Sequence, residues 1–251
     1  MCNFRLDGKR AAVTGASKGI GAAIAIAFAQ SGADVLLIAR DEEKLKGVRS
    51  EIRNLGRRCE YHCIDVSDPA EIPAFDGHIR AFGGIDIYVN NAAYTIREPV
   101  LGTTYEAMEA LFRTNFFGSV AMTQIAANYL IEQGKGGVIT FITSVNALSA
   151  LPSQAIYSCT KYSLEGLVKS LAAELAPHGI RVNSVAPGAI DTDMNGALTP
   201  EKEAVYQKTI ALGRIGLPEE IAGPAVFMCS DAASYITGST LLADGGLLLR
   251  R

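Results

Sequence analysis

The sequence predicts a doubly wound α/β fold, a seven-stranded parallel sheet with helices on both faces, within one domain over 1–251. Three observations carry that expectation. Short runs rich in β-branched and apolar residues recur along the chain, most are apolar on both faces, and stretches of helical periodicity separate them. Strands buried on both sides lose the apolar/polar alternation of a sheet with one wet face. Strand and helix in alternation then select the doubly wound arrangement.

The expected strands are 10–14, 35–39, 61–65, 85–90, 138–143, 181–186 and 240–243. Helical periodicity runs over 20–31, 42–55, 104–133, 157–176 and 218–229. A further helix over 69–82 should be kinked or shortened by Pro73 and Gly77, since proline removes a backbone donor and clashes with the preceding turn. The segment 190–214 starts rich in Asp, Thr and Gly, turns helical near 199–210, and reads as a lid.

Composition narrows the function classes. With 49% hydrophobic residues, the chain can bury a sizeable core. Its longest apolar run, Ala22 to Ala29, falls far short of the roughly 20 residues that span a bilayer. The start of the chain has no apolar signal-peptide core, so a cytoplasmic protein is expected. A net charge of −3 without a basic cluster gives no footprint for nucleic acid or anionic lipid. Cys2, Cys59, Cys63, Cys159 and Cys229 lack the spacing of a disulfide framework or zinc knuckle. Cys59 and Cys63 sit on a strand with His62 facing the other way, so no metal site is expected and a reducing compartment suits the thiols.

Chemistry enters at the end of the first strand, where the chain reads Thr14-Gly15-Ala16-Ser17-Lys18-Gly19-Ile20-Gly21. Gly15 permits a tight turn, Gly19 lets the backbone approach a pyrophosphate, and Gly21 lets the following helix pack close to the strand. Free N–H groups at that helix start then face the phosphates. Glycines also mark ordinary loops; a strand before and a helix after raise the signal to a dinucleotide site. At the end of the second strand, where NAD-preferring sites usually carry an acid, stands Arg40, with Lys18 as a second cation. A guanidinium suits a 2′-phosphate, so NADP(H) is the expected cofactor, with Asp41 as the competing consideration. Asp65, followed by Val66, either accepts the adenine amino group or begins a helix; Asn91 and Ala92 end the fourth strand in the crevice where such ligands bind.

Tyr157 and Lys161 lie four apart and share a helical face, with Ser144 upstream at a strand end. A free tyrosine titrates near pH 10; a positive Lys161, helped by an oxidised nicotinamide, would favour its phenolate. Tyr157 could then exchange a proton with a substrate oxygen that Ser144 holds by a hydrogen bond. Taken singly, a tyrosine packs a core, a serine ends a strand and an asparagine caps a helix break; their joint occurrence is what points to catalysis.

At these residues the chain closely resembles the short-chain dehydrogenase/reductase family, over nearly its whole length. The resemblance rests on Thr-Gly-xxx-Gly-x-Gly at 14–21, Asn-Asn-Ala at 90–92, Asn115, Ser144, Tyr-xxx-Lys at 157–161, Pro187-Gly188 and Asp244-Gly245-Gly246. Ala93 stands where the family more usually has glycine. The resemblance implies a Rossmann fold and a catalytic set of Asn115, Ser144, Tyr157 and Lys161, in which Asn115 holds a water linking Lys161 to solvent and Lys161 also binds the nicotinamide ribose. It further implies cofactor contacts at Ser17, Ile20, Val66, Asn91, Ala92, Pro187, Gly188, Ile190 and Thr192.

The substrate is less legible. Segments 94–96, 145–148, 150–154 and 189–212 should line its pocket, where Asn146 and Gln154 either bond substrate hydroxyls or face solvent. Sugar or polyol dehydrogenases and 3-oxoacyl-carrier-protein reductases are the competing resemblances. The reductases resemble arginine-bearing docking surfaces; this chain has Gly136-Gly137 and Ala172-Ala173 in those neighbourhoods, and an acidic lid through Asp191, Asp193, Glu201 and Glu203. A small neutral sugar, polyol or ketone is therefore expected, with a bulky apolar substrate and a non-catalytic dinucleotide sensor as alternatives. Small residues along 104–133 and 157–176 suit the helix pairing by which family members form dimers and tetramers, and Leu247-Leu248-Leu249 should be buried at a subunit contact or beside the pocket.

Overall fold

Successive residues of the central strands point to opposite sides of a sheet, and both sides are dry. The computed structural model describes residues 4–250, so Cys2 lies outside the described residues. It contains β1 (Arg10–Thr14), β2 (Asp34–Ala39), β3 (Cys59–Cys63), β4 (Ile87–Asn90), β5 (Gly137–Ile142), β6 (Ile180–Pro187) and β7 (Thr240–Ala243). In β1 and β2, Ala11, Val13, Val35 and Leu37 join one apolar cluster, while Ala12, Leu36 and Ile38 join another. The first cluster is closed by α1 (Gly19–Gln30), α2 (Glu42–Asn54) and α8 (Pro218–Cys229). The second is closed by α3 (Ala74–Ala81), α5 (Ser119–Gln133) and α6 (Ala155–Leu175). Each fully buried Leu, Ile or Phe contributes about 1.5–3 kcal/mol, so two dry faces hold the helices on both sides of the sheet.

All strand pairs are parallel, in the order β3-β2-β1-β4-β5-β6-β7. The chain winds outward from β1 to β3, then returns to place β4 on the other side of β1. The winding reverses between β1 and β4, and a crevice opens there beyond the strand ends. Polar groups stitch the reversal: the Asn91 and Ala92 N–H groups donate to the Thr14 hydroxyl at 2.9 and 3.1 Å. The Asn91 side chain donates to the Thr14 carbonyl at 3.0 Å.

Most expected elements lie within two residues of their predicted bounds, the ordinary uncertainty of element ends. The third strand shifts as a whole by two residues, to Cys59–Cys63 in place of 61–65. Its register against β2, Val35 with Cys59 through Ala39 with Cys63, uses up the strand before Asp65. Asp65 instead accepts the backbone N–H and hydroxyl of Ser67, at 2.8 and 2.7 Å, and turns the chain. The half-exposed edge position explains why apolar patterning misplaced it. His62, on this strand, stacks on His78 of α3 with ring centres 3.4 Å apart.

Pro73 does shorten the helix candidate over 69–82, which starts at Ala74 with Pro73 just ahead of it. Gly77 interrupts nothing; it lies inside α3 with open space beside it. The stretch 104–133 is α4 (Tyr105–Phe112) and α5 joined by a π-helical turn at Arg113–Gly118. Leu247 is buried against Val145 and Ile210 with Leu248 packed beside it, but Leu249 is exposed. The segment 190–214, expected as a lid, contains α7 (Pro200–Thr209), begun by the Thr199 hydroxyl accepting from the Lys202 N–H and by Pro200.

Candidate active site

The glycine turn leaves β1 and enters α1 at the crevice. Gly15 has φ +64°, and a side-chain carbon there would meet Asn91 Nδ2 at 2.8 Å and Ala92 Cα at 2.9 Å. At Gly21 the same carbon would fall on the Gly15 carbonyl oxygen. Both positions are therefore restricted to glycine by the closeness of β1, α1 and the Asn91 loop. Lys18, at the start of α1, makes no side-chain cap, and no acid lies in the first turn. The uncapped N–H groups and the helix dipole favour an anion there.

In front of this turn lies a cleft of ≈ 1110 Å³. Of the predicted cofactor residues, Gly15, Ser17, Lys18, Gly19, Ile20, Gly21, Arg40, Asp65, Val66, Asn91, Ala92 and Thr192 line it. Pro187 and Gly188 do not: Pro187 ends β6, and the Gly188 N–H donates to the Ala243 carbonyl at 2.9 Å. The Ile190 side chain is buried in the core and presents only its main chain outward, where it bridges to Gly216. Glu106, Glu109 and Arg113 also line the cleft and were missed from sequence. Their spacing puts them on one face of a helix, but charged helical stripes more often face solvent. Size, uncapped helix start and glycine cradle together fit a dinucleotide.

Both cations at the ribose end already have partners. Arg40 donates to Asp65 at 3.3 Å, and Lys18 to Asp193 of the lid at 2.6 Å. The pairs are exposed on at least one side, where ion pairs contribute little and an incoming phosphate can compete. Asp41 serves α2: its carboxylate accepts the Lys44 N–H at 3.1 Å and pairs with the Lys44 ammonium at 3.1 Å. These bonds hold the Asp41 carboxyl below its ordinary value.

The predicted catalytic residues come together around the start of α6. Tyr157 and Lys161 are both buried, one turn apart, with Lys161 Nζ 5.8 Å from the centre of the Tyr157 ring. Lys161 Nζ donates to the Ile142 carbonyl at the end of β5, at 2.9 Å. Ser144, two residues on, lies close enough to the Tyr157 phenol to act on its titration, and accepts the Asn146 N–H at 3.1 Å. Asn115 sits fully buried in the π-helical turn and grips Tyr94, accepting from its N–H at 3.0 Å and donating to its carbonyl at 2.9 Å. It also donates to Thr160, next to Lys161, at 3.3 Å. Tyr94 itself lines the cleft, so Asn115 links the cleft to the Tyr/Lys helix.

The electrostatics of the chain by itself add what the spacing could not show. Burial pushes the Tyr157 phenol up to about 12, opposed by the nearby Ser144 hydroxyl and the Arg97 charge. Lys161 does not offset this, because its ammonium is turned to Ile142 and is itself pushed down to about 8 by burial. The negative charge of Glu165 opposes that fall. Tyr157 in this state holds its proton at neutral pH and is an acid ready to donate.

Asn146 and Gln154, predicted to read substrate, instead bond each other, Asn146 Nδ2 donating to Gln154 Oε1. Asn146 is buried, and its side-chain oxygen has no hydrogen-bond partner among the described residues. The segment 190–214 is tied to the rest of the chain by Lys18 to Asp193 and by Arg97 to Asn195, and Thr192 Cγ2 lies over Gly19. None of the described helices is long and apolar enough to cross a membrane, and no cluster of three or more potential metal ligands occurs among the described residues.

This chain is similar to many known proteins. Residues 15–248 match the sequence model of a family described as enoyl-(acyl carrier protein) reductase. An L-rhamnose 1-dehydrogenase (NAD(P)(+)) from Sphingomonas sp. is 40% identical over 246 residues, covering 96% of this chain and 97% of that protein. A 3-oxoacyl-acyl-carrier-protein reductase from Aquifex aeolicus is 38% identical over 247 residues, covering 97% of this chain and 99% of that one. The crystal structure of a short-chain type dehydrogenase/reductase from Mycobacterium marinum superposes with a TM-score of 0.93 at 38% identity, covering 98% of this chain and 97% of that one.

Lys161 makes stability depend on pH. In the folded chain it loses its proton near pH 8, whereas an unfolded lysine keeps it to about 10.4. The unfolded state therefore binds more protons in that window, and folding stability rises with pH. Against Lys161→Met, the wild type should gain about 2 kcal/mol between pH 8 and 10, before Tyr157 begins to act in the opposite sense. Urea unfolding at intervals of half a pH unit measures it; a flat difference would mean that the ammonium is not buried in solution.

Proposed function

This chain belongs to the short-chain dehydrogenase/reductase family, and on that premise we propose that it interconverts a secondary alcohol and a carbonyl with NADP(H), acting on a small neutral sugar, polyol or ketone. The observation that carries the reading is the buried Tyr157 beside Ser144, with Lys161 one turn behind and a dinucleotide-sized cleft joined to them through Tyr94. Bound in the cleft, the dinucleotide supplies or takes the hydride. Ser144 holds the substrate oxygen, and Tyr157 gives it a proton in reduction or takes one in oxidation. Lys161 favours the phenolate whenever Tyr157 lacks its proton. Asn115 keeps Tyr94 and Thr160 in place on either side.

NADP(H) is favoured over NAD(H) by Arg40 and Lys18, and by the commitment of Asp41 to the α2 start and Lys44. The similar L-rhamnose 1-dehydrogenase, which takes either cofactor by its name, is compatible with this and supports a sugar-like substrate. So does the Asn146–Gln154 pair, whose buried unpartnered oxygen would accept a substrate hydroxyl. The similar 3-oxoacyl-acyl-carrier-protein reductase supports the second reading. Against it stand an acidic lid, through Asp191, Glu201 and Glu203, and the absence of arginines at 136–137 and 172–173. Exposed Tyr105, Phe117 and Tyr162 lie on α4, the π-helical turn and α6, and we propose that these faces pair in a homodimer or homotetramer.

Three measurements test the proposal. With purified protein, Tyr157→Phe should lower kcat at least about a hundredfold while dinucleotide binding, followed by nicotinamide fluorescence, stays within a few-fold; turnover unchanged would end the Tyr157 mechanism, and the same assay across sugars, polyols and a β-ketoacyl thioester decides between substrate classes. Arg40→Ala should raise KM for NADP about tenfold and leave that for NAD nearly unchanged, since a charge-assisted hydrogen bond to phosphate is lost. Size-exclusion chromatography with light scattering should give two or four chains per particle, and a monomer would remove the proposed helix pairing.

A further inference from the structure

Glu165 is a buried carboxylate for which the proposed chemistry has so far no use. It lies on α6 four residues after Lys161, so the two side chains share one helical face. Three hydroxyls converge on it from three adjacent strands or their ends. Thr143, just after β5, donates at 2.6 Å, Ser184 of β6 at 3.0 Å to each oxygen, and Thr240 of β7 at 2.6 Å. Three donors and no competing acceptor match a carboxylate, which only accepts, better than an amide, which must also donate. Burying such a charge costs several kcal/mol unless hydrogen bonds and an opposite charge offset it. Hydroxyls offset part of that. The nearest buried opposite charge along the chain is Lys161; Lys169, equally far on the other side, is exposed.

The two charges also meet the same stretch of backbone. The Lys161 ammonium donates to the Ile142 carbonyl, and the next residue, Thr143, donates its hydroxyl to Glu165. Each group thus fixes the strand end on which the other depends. We propose that Glu165 is a positioning residue, a buried negative charge behind Lys161 that keeps its ammonium charged and its strand contact in register, and so supports proton exchange at Tyr157; this rests on the reading of Tyr157 and Lys161 given above. Burial drives Lys161 down to about 8, and Glu165 is the charge that holds it up. The other groups around the two, Thr143, Ser144, Asn115, Ser184 and Thr240, do not titrate in the working range. Tyr157 shares α6 with Lys161, and Arg97 acts on Tyr157 from the loop after β4.

The test is a lysine side-chain NMR titration of the intact protein, with the Lys161 signal assigned by its disappearance in Lys161→Arg. In Glu165→Gln, which keeps the shape and removes the charge, the Lys161 midpoint should fall by about one pH unit. The charged fraction at pH 8 then drops from about one half to about one tenth, so kcat for carbonyl reduction should fall about fivefold there and stay within about twofold at pH 6. Glu165→Asp, which keeps the charge but draws it back, should give a midpoint clearly between those of the wild type and Glu165→Gln. A midpoint unmoved in Glu165→Gln overturns the inference and leaves Glu165 as a peg between α6 and the sheet. If Glu165→Gln does not fold, Glu165→Asp carries the test alone: drawing the charge back should lower the midpoint measurably, and an unchanged midpoint is again fatal. Turnover surviving in Tyr157→Phe would instead defeat the underlying mechanism, whatever Lys161 does.

Discussion

The close approach of β1 and β4 where the sheet reverses its winding is the constraint on which the rest of the molecule depends. Two parallel strands that do not follow one another in sequence must end side by side, with their outgoing loops diverging to opposite faces. The Thr14 hydroxyl takes two backbone N–H groups of the Asn91 loop, and the Asn91 side chain returns a bond to the Thr14 carbonyl. Gly15 and Gly21 lie so near this join that a single added carbon would strike backbone. The cleft is what remains open beyond it, walled by α1 on one side and by Tyr94 on the other.

α6 couples that opening to the interior. Its first turns carry Tyr157 and Lys161, and its middle turns pack Leu164, Val168 and Ala172 against the sheet. The same rigid element therefore sets the depth of the core and the reach of the reactive side chains. A helix that gains its place from apolar burial of several side chains holds a polar group more firmly than a loop could.

Much of this was readable from sequence, for identifiable reasons. Central strands are apolar on both faces and announce themselves; β3, half-exposed at the sheet edge and starting in Cys59-Glu60, does not, and was misplaced toward Asp65. The glycine turn and the Tyr157/Lys161 spacing are local patterns; the first lines the cleft and the second lies buried on α6, one turn apart. Four features were beyond sequence because they depend on the folded arrangement. The direction of the Tyr157 shift follows from total burial, which no local spacing reports. Asp193 meets Lys18 across 175 positions of chain, and the Asn146–Gln154 bond needs the backbone between them to fold back. The face of α4 that lines the cleft could be placed only once its break from α5 was known.

That break has a geometric consequence. An α-helix advances by about 100° per residue, so a straight helix through Tyr105–Gln133 would keep a single facing along its whole length. The wide turn at Arg113–Gly118 inserts extra chain and resets the phase. Upstream, α4 buries only Leu111 and offers Glu106, Glu109 and Arg113 to the cleft. Downstream, α5 turns Met122, Ala126 and Leu130 to the sheet. One continuous rod thereby acts as two tools with independent bearings, and the pivot between them is the turn that carries Asn115.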